Sequence, residues 1–223
     1  MNQPNEFAEK FINQTNQPIF LTGKAGTGKT TFLKHIVQST YKQTVIVAPT
    51  GIAALNAGGV TIHSFFQLPF AGFIPDFKEG LHVDGSLKIE SKKTLLRHFR
   101  MNKQRKQLIC NLELLIIDEV SMLRADLLDA IDWSLRNVRS INEPYGGVQV
   151  LFIGDLYQLP PVVKQSEWSI LSDYYQGIHF FNAKVMTEKP PFYIELSKIF
   201  RQQNEDFISV LNNLRNNRLS TSD

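Results

Sequence analysis

Four residues between positions 23 and 30 have the types and the spacing that can grip a chain of phosphates. Gly23, Gly28, Lys29 and Thr30 match the pattern G-x-x-x-x-G-K-[ST]. The glycines let the backbone turn so that N–H groups point inward at a phosphate, while Lys29 can reach the β- and γ-phosphates and the Thr30 hydroxyl can ligate Mg²⁺. A chain of this length matches the four positions by chance about once in a hundred. We therefore interpret the segment as a site for ATP and Mg²⁺.

The segments on either side of this loop have the structure that the motif requires. The apolar run 18–21 before it predicts a buried strand, and Phe32, Leu33, Ile36 and Val37 after it have the spacing of an amphipathic helix. The start of that helix adds partial positive charge beside the phosphates. The residues expected to contact the nucleotide are Gly23, Ala25, Gly26, Thr27, Gly28, Lys29, Thr30 and Thr31.

Polar side chains suited to ATP hydrolysis follow two further apolar runs. The run 112–117 ends in Asp118 and Glu119, and the run 148–153 is followed closely by Gln158. Ligands of open α/β sheets bind at the carboxyl ends of the strands. Asp118 can bind Mg²⁺ through water, Glu119 can orient or deprotonate the attacking water, and Gln158 can sense a γ-phosphate. Alone, the acidic pair would indicate a solvated turn, but the upstream phosphate loop favours its functional interpretation. For Gln158 the alternative, a surface amide beside a proline turn, stays open.

Strands alternate with helices along the chain, which predicts an α/β fold with a parallel, doubly wound sheet. The predicted strands are 18–21, 44–48, 112–117, 148–153 and 192–196, and the predicted helices lie near 5–15, 29–40, 52–57, 91–110, 125–139, 167–176 and 205–216. The stretch 69–90 is rich in Gly, Pro and Asp, and predicts a small insert between the second and third core strands rather than a sheet element. The basic helix 91–110 fits a solvated face slightly better than a phosphate-contacting surface.

The composition is that of an ordinary globular protein. Of the 223 residues 43% are hydrophobic and 20% charged, and the net charge of +3 is too small to establish a nucleic-acid partner. No apolar run approaches the ~20 residues of a membrane span, so we expect no membrane partner. The single cysteine, Cys110, excludes an internal disulfide, suits a reducing cytoplasm and is expected to be a small buried residue.

Six segments occur in a fixed order along the chain. They are 23–31 (GKAGTGKTT), 48–57 (APTGIAALNA), 61–65 (TIHSF), 116–122 (IIDEVSM), 154–162 (GDLYQLPPV) and 196–202 (LSKIFRQ). Together they resemble superfamily 1B DNA helicases of the Pif and RecD type, and the resemblance is closest to the Pif group. It spans residues 18–202 and implies a RecA-like P-loop NTPase fold with a small wedge-like insert.

The resemblance implies an ATP-driven motor that moves 5′ to 3′ on single-stranded DNA. At matching positions, Lys29 and Thr30 would hold phosphates and Mg²⁺, and Asp118 would complete the metal site. Glu119 would be the catalytic base, Gln158 the γ-phosphate sensor and Arg201 an arginine finger. Without that context, Arg201 would be interpreted as a surface arginine at the start of a helix.

The same resemblance indicates a track for single-stranded DNA. Pro49, Thr50 and Gly51, with His63, Ser64 and Phe65 beyond them, fall where the family contacts the strand. Backbone N–H groups and hydroxyls there would bind phosphates, and an aromatic ring could stack on a base. Gln3 is a candidate by position for the glutamine that contacts adenine, although its neighbours match poorly.

Helicases of this group have a second RecA-like domain, whose motifs do not occur among residues 203–223. We therefore expect this chain to be the first motor domain alone and to hydrolyse ATP slowly or not at all. Two alternatives stay open from the sequence: the motor subunit of a RecD-type recombination nuclease, and a non-motor DNA-binding module that depends on nucleotide. A role in telomeres, replication or repair would rest on family analogy alone.

Overall fold

A computed structural model describes residues 3–79, 81–83, 87–98, 101–198 and 213. The described helices are α1 (Gln3–Gln14), α2 (Lys29–Ser39), α3 (Gly51–Ala57), α4 (Ile62–Phe66), α5 (Lys92–Leu95), α6 (Lys103–Asn111), α7 (Ala125–Arg139), α8 (Gln165–Leu171) and α9 (Lys184–Glu188). The described strands are β1 (Ile19–Gly23), β2 (Thr44–Ala48), β3 (Val60–Thr61), β4 (Gly72–Ile74), β5 (Leu81–Val83), β6 (Leu87–Ser91), β7 (Leu114–Ile117), β8 (Gln149–Gly154) and β9 (Phe192–Leu196).

The main sheet confirms the predicted parallel α/β fold. Within the described residues it has six strands in the order β3-β2-β7-β8-β1-β9, and every neighbouring pair is parallel. Parallel strands require crossover connections, and two of them contain α2, between β1 and β2, and α7, between β7 and β8. The five predicted strands are all present. The additional strand, β3, has two residues and is too short to give a periodic sequence signal.

Helices cover both faces of this sheet, which explains why its central strands are apolar throughout. Successive side chains of a strand point to opposite faces. Ile116 of β7 belongs to a cluster with Ile36 of α2 and Ile12 of α1. The next residue, Ile117, belongs to a cluster with Leu128 of α7 on the other face. All five side chains are fully buried.

Helix α3 begins and ends close to where the sequence predicts. The Thr50 hydroxyl accepts a hydrogen bond from the Ala53 N–H at 3.2 Å and so caps the amino end of the helix. Gly58 ends it in the left-handed conformation at φ 71°. Gly59 follows against β2, where a Cβ atom would lie 2.4 Å from the Ile46 carbonyl oxygen. Only glycine fits this approach, which holds the helix against the sheet.

The insert forms a small sheet, and the expectation that it contains no sheet element was wrong. Within the described residues β4, β6 and β5 pair in that order, with β4 parallel and β5 antiparallel to β6. The strands have only three to five residues each, too few to show alternation among the Gly and Pro residues around them. Phe73, Ile74 and Ile89 join the core cluster on the α7 face, so the insert packs on the main body.

The prediction of a single helix over 91–110 was also wrong. The structure has α5, a 3₁₀ turn at Leu96–His98 and then α6, with 99–100 outside the described residues. Two separate caps explain the break, because Ser91 caps α5 and Asn102 accepts a hydrogen bond from the Arg105 N–H to begin α6.

Three smaller expectations have different outcomes. Cys110 is exposed and not buried as expected, because α6 buries only Ile109. The helix predicted at 167–176 is the shorter α8, whereas the helix predicted at 205–216 falls outside the residues that the structure describes apart from residue 213. Among the described residues we find no helix with the length and apolar character that would let it traverse a lipid bilayer.

Candidate nucleotide and DNA sites

The order of strands brings the predicted nucleotide residues to one edge of the sheet. β8 lies between β7 and β1, and its Phe152 and Gly154 are in register with Ile117 of β7 and Thr22 of β1. The segments that follow these three strands therefore lie side by side at the carboxyl edge. They are the phosphate loop after β1, the Asp118–Glu119 pair after β7, and Asp155 after β8.

The phosphate loop is shaped by its glycines and by its own lysine. Gly28 adopts the left-handed conformation at φ 88° directly before α2, and a Cβ on Gly23 would lie 2.6 Å from the Leu196 carbonyl oxygen. The Lys29 ammonium donates to the carbonyl oxygens of Gly23 at 2.6 Å and Lys24 at 3.1 Å. The lysine therefore folds over the loop and holds a positive charge inside the turn.

The loop residues predicted to contact the nucleotide differ in solvent exposure. Thr27 is buried, and its hydroxyl donates to the Lys24 carbonyl oxygen at 2.8 Å, so it shapes the loop. Ala25, Thr30 and Thr31 are exposed. Within the described residues no side chain caps the amino end of α2, which leaves its first N–H groups directed at this edge. Amide donors and a fixed ammonium fit the phosphates of a nucleotide.

The acidic pair after β7 is half-buried beside Lys29. Burial raises the pKa of Asp118, while the Glu119 N–H and the Lys29 charge act in the opposite direction. Burial also raises the pKa of Glu119, aided by the negative charges of Asp118 and Asp155 and opposed by Lys29. Lys29 is thus close enough to influence both carboxylates, although they follow a different strand. A carboxylate with a raised pKa is suited to accept a proton near neutral pH.

Glu119 has an unusual backbone conformation that fixes its direction. It is left-handed at φ 51° and starts a 3₁₀ turn at Val120–Met122. Such a conformation costs about 1 kcal/mol or more in a residue other than glycine. Gly154 makes room for this turn, since a Cβ there would lie 2.9 Å from Val120 Cγ1. The end of β8 and the turn after β7 therefore pack so closely that each restricts the conformation of the other.

Asp155, directly after β8, also contributes to this edge. Its carboxylate is buried and accepts a hydrogen bond from the Tyr157 N–H at 3.1 Å, and its carbonyl oxygen accepts from the Gln158 N–H at 2.9 Å. This turn presents Gln158, whose side chain is exposed, at the same edge. The signal that identifies Asp155 is its position directly after a fully apolar strand.

The donor set of this edge fits Mg²⁺. Thr30 supplies a hydroxyl and Asp118 a carboxylate, and hard oxygen donors are what Mg²⁺ prefers. The described residues contain no group of three or more His, Cys, Asp or Glu side chains that could hold a metal on their own. An ion here would therefore be shared with nucleotide phosphates and water, as is usual for Mg²⁺.

The predicted DNA-contacting residues differ in position: some lie exposed at or near the start of a helix, and one is buried in the core. Thr50 caps α3, and Thr61 caps α4 by accepting from the Ser64 N–H at 3.2 Å. Pro49 is half-buried, whereas Gly51 and Ser64 are exposed. Phe65 is only 6% exposed and packs edge-on against Phe66 at 4.9 Å. A base cannot stack on the Phe65 ring in this structure, because the ring belongs to the core, and a role of Phe65 in binding DNA stays a prediction.

Two predicted residues cannot be placed. Arg201 lies outside the described residues, and its assignment as an arginine finger stays a prediction. Gln3 starts α1, but its side chain is not among those described.

The parallel sheet and the phosphate loop together define a P-loop NTPase with a RecA-like core. A sequence model of the family described as PIF1-like helicase matches residues 4–74 and 77–223. The chain belongs to the PIF1-like helicase family. That match covers the phosphate loop, the acidic pair and the candidate DNA segment alike.

Individual relatives agree with the family match. The Candida albicans protein named ATP-dependent DNA helicase PIF1 is 38% identical over 204 residues, which make up 88% of this chain and 20% of that protein. A crystal structure of Bacteroides Pif1 bound to single-stranded DNA matches with a TM-score of 0.86 and 44% identity, over 99% of this chain and 47% of that one. A Bacteroides Pif1 complex with ADP-AlF₃ and single-stranded DNA matches with a TM-score of 0.86 and 44% identity. The chain thus spans a fifth of the first protein and about half of the second.

Proposed function

We propose that this chain is the nucleotide-binding motor domain of an ATP-dependent DNA helicase that moves 5′ to 3′ along single-stranded DNA. Membership of the PIF1-like family supports this over a RecD-type recombination subunit, which was the alternative within the same branch. The Bacteroides structures, which hold single-stranded DNA and a nucleotide analogue, support a motor over a non-motor DNA-binding module.

One observation of this chain carries the proposal. The strand order β7-β8-β1 brings the carboxyl ends of β7 and β1 to one edge of the sheet, so that Lys29, at the start of the helix after the phosphate loop, and the pair Asp118 and Glu119 lie at the same edge. A phosphate-binding ammonium and two carboxylates of different chain segments are therefore brought to one place. Phosphoryl transfer needs this combination, because its transition state depends on positioning and on charge stabilisation.

The chemistry that we assign to these residues is hydrolysis of the γ-phosphate of ATP. Loop N–H groups and Lys29 would bind the phosphates, and Thr30 and Asp118 would hold Mg²⁺. Bound Mg²⁺ would neutralise negative charge on the phosphate oxygens. Glu119 would accept the proton of a water molecule whose oxygen bonds to the γ-phosphorus as the bond to ADP breaks. Gln158, exposed in the turn after β8, would contact the γ-phosphate.

We further propose that the rest of the site comes from a second RecA-like domain in the full-length protein. The chain covers 47% of the Bacteroides chain, and nucleotide sites of this kind are shared between two domains in the group that the sequence resembles. Arg201 of this chain would act together with a further arginine of the second domain, and the transition-state stabilisation that the second domain supplies is worth about 10³-fold in turnover. Slow hydrolysis by the present chain alone follows from this.

The experiment that tests the proposal separates binding from hydrolysis. In the full-length protein, Glu119→Gln is expected to lower DNA-stimulated ATP turnover about 10²- to 10⁴-fold, because the general base is lost. The affinity for an ATP analogue, measured by fluorescence anisotropy, is expected to stay within about twofold because the loop is unchanged. Glu143→Gln changes an exposed carboxylate away from this edge and is the matched control. Undiminished turnover or unwinding by Glu119→Gln would contradict the assignment.

A further inference from the structure

An exposed aromatic ring stands beside the candidate DNA segment. Phe70 is 85% exposed, and its ring stacks on the imidazole of His63 with the centroids 4.4 Å apart and the planes 19° from parallel. One face of Phe70 is therefore covered by His63. An exposure this high means that the opposite face and the edges are open to solvent.

The stack is held on both sides by local structure. His63 lies in α4, whose amino end is capped by Thr61. The connection after α4 is tight, since the Ala71 N–H donates to the Pro69 carbonyl oxygen at 3.0 Å with Phe70 between them. A single exposed phenylalanine is common on protein surfaces, but one whose plane is set by a second ring has lost the freedom to turn away. The ring is therefore oriented before any ligand arrives.

The surroundings of the imidazole below Phe70 favour its uncharged form. Burial lowers the pKa of His63, and the nearby Arg124 charge lowers it further while Asp126 acts in the opposite direction. The pair is thus a contact between two neutral ring systems. Such a surface suits a third flat ring stacked on top of it.

The surroundings of the stack are suited to a polyanion. The Arg105 guanidinium donates to the carbonyl oxygens of Ser64 and Phe65, the latter at 3.3 Å, which fixes α6 next to α4. Helix α6, with the sequence KQRKQLICN, has three cationic residues and no acidic one. Its Lys103 and Lys106 are exposed. The helix that carries these cations thus packs against α4, the helix that carries His63, and basic side chains combined with exposed aromatic rings bind single-stranded nucleic acid.

We propose that Phe70, backed by His63, is a stacking residue for a nucleobase of single-stranded DNA in the motor domain. The inference rests on the proposed function and deepens it by identifying the aromatic residue that contacts the strand. It places this contact on Phe70 and not on the buried Phe65. Because every base has a stacking face, the contact would add affinity without reading sequence.

The test compares two oligonucleotides of equal length, one of dT and one with abasic sites throughout, bound to the full-length protein with an ATP analogue and Mg²⁺. Phe70→Ala is expected to weaken binding to the dT strand about five- to thirtyfold, as loss of one base–aromatic contact does. Binding to the abasic strand is expected to change less than twofold. Phe70→Trp is expected to keep the dT affinity, whereas Phe70→Leu is expected to lose most of it.

Two controls make the result specific. Tyr41→Ala removes an aromatic side chain that is 95% exposed and lies before β2, at the opposite edge of the sheet. It is expected to leave both affinities unchanged. The melting temperature of Phe70→Ala is expected to match the wild type, because the ring is exposed.

The outcomes distinguish this inference from the function on which it rests. If the wild type and Phe70→Ala bind the dT strand equally well, the inference is overturned and the proposed function still stands. A surface at Phe70 that docks a protein partner would give this result. An equal loss on dT and abasic strands would also overturn it, since stacking needs a base. Failure of the full-length wild-type protein to bind any strand would contradict the proposed function itself.

Discussion

Lys29 shows most clearly how one residue links the sequence to the site. The motif predicts that its ammonium reaches phosphates, and the structure places that ammonium on the carbonyl oxygens of Gly23 and Lys24. These two contacts keep the charge inside the turn, close to where the phosphates would lie. The same group lowers the pKa values of Asp118 and Glu119, against the effect of their burial.

Replacing this lysine tests the site at the scale of a residue. Lys29→Ala is expected to weaken binding of an ATP analogue about ten- to a hundredfold, since a charge-assisted hydrogen bond contributes about 1.5–3 kcal/mol. Titration calorimetry of this chain would measure it. Lys34→Ala, an exposed lysine later in the same helix, is expected to bind like the wild type. Equal affinities for wild type and Lys29→Ala would contradict the phosphate-binding role.

At this scale the sequence locates some candidate residues and cannot locate others. The fixed spacing of the phosphate loop and the acidic pair after an apolar run single out their residues without a structure. Phe65 and Phe70 are different, because residue type alone does not distinguish two phenylalanines. Only tertiary packing decides that the first is buried and the second exposed.

Helix α7 shows what an element adds beyond its own sequence. Its apolar stripe predicts the observed bounds, Ala125–Arg139. The acidic residues Asp126, Asp129 and Asp132 would be placed on its solvent face by that pattern, yet all three are buried. Each accepts backbone hydrogen bonds from another element, from Phe73 in β4, from the start of α9 and from the turn at Tyr145 respectively. The helix therefore anchors the insert and the two neighbouring segments.

Asp129 makes stability depend on pH through this anchor. Burial raises its pKa to about 6, although the N–H groups of Lys184 and Val185 act in the opposite direction. This value lies above the ~3.9 of an unfolded chain, so the folded state binds the proton more tightly. The stability contributed by the group is complete below about pH 4 and is lost as the pH rises through about 6.

The corresponding prediction concerns the difference between two urea denaturation series. Between about pH 4 and pH 7.5 the wild type is expected to lose on the order of 2–3 kcal/mol of unfolding free energy that Asp129→Asn does not lose, as two pKa units correspond to about 2.7 kcal/mol. Asp173→Asn, at an exposed carboxylate, is the control. Parallel curves for wild type and Asp129→Asn would show that the raised pKa is wrong.

The alternation of strands and helices in the sequence predicts the main sheet of the molecule, but it does not predict the small sheet of the insert. The parallel sheet was predictable because its central strands are buried on both faces and therefore apolar throughout. The small sheet was not, since β4 and β5 have three residues each and depend on packing against the core. The break between α5 and α6 was not predicted for a similar reason, because a basic, weakly amphipathic stretch does not show where a second helix begins.

At the scale of the molecule, the account depends on three strand ends meeting at one edge. The strand order β7-β8-β1 places the acidic pair, Asp155 and the phosphate loop next to one another. Motion along DNA would require a second domain to close over this edge in response to nucleotide. The edge itself belongs to this chain and can be tested on it alone.

The most direct test is a crystal structure of this chain with a non-hydrolysable ATP analogue and Mn²⁺, which is located by its anomalous signal. The account predicts that the phosphates lie in the loop from Gly23 to Thr30, within hydrogen-bonding distance of its N–H groups and of Lys29. It also predicts one Mn²⁺ between the Thr30 hydroxyl and Asp118, bound directly or through water. A nucleotide bound elsewhere, or a Mn²⁺ too far from Asp118 to share with Thr30, would contradict it.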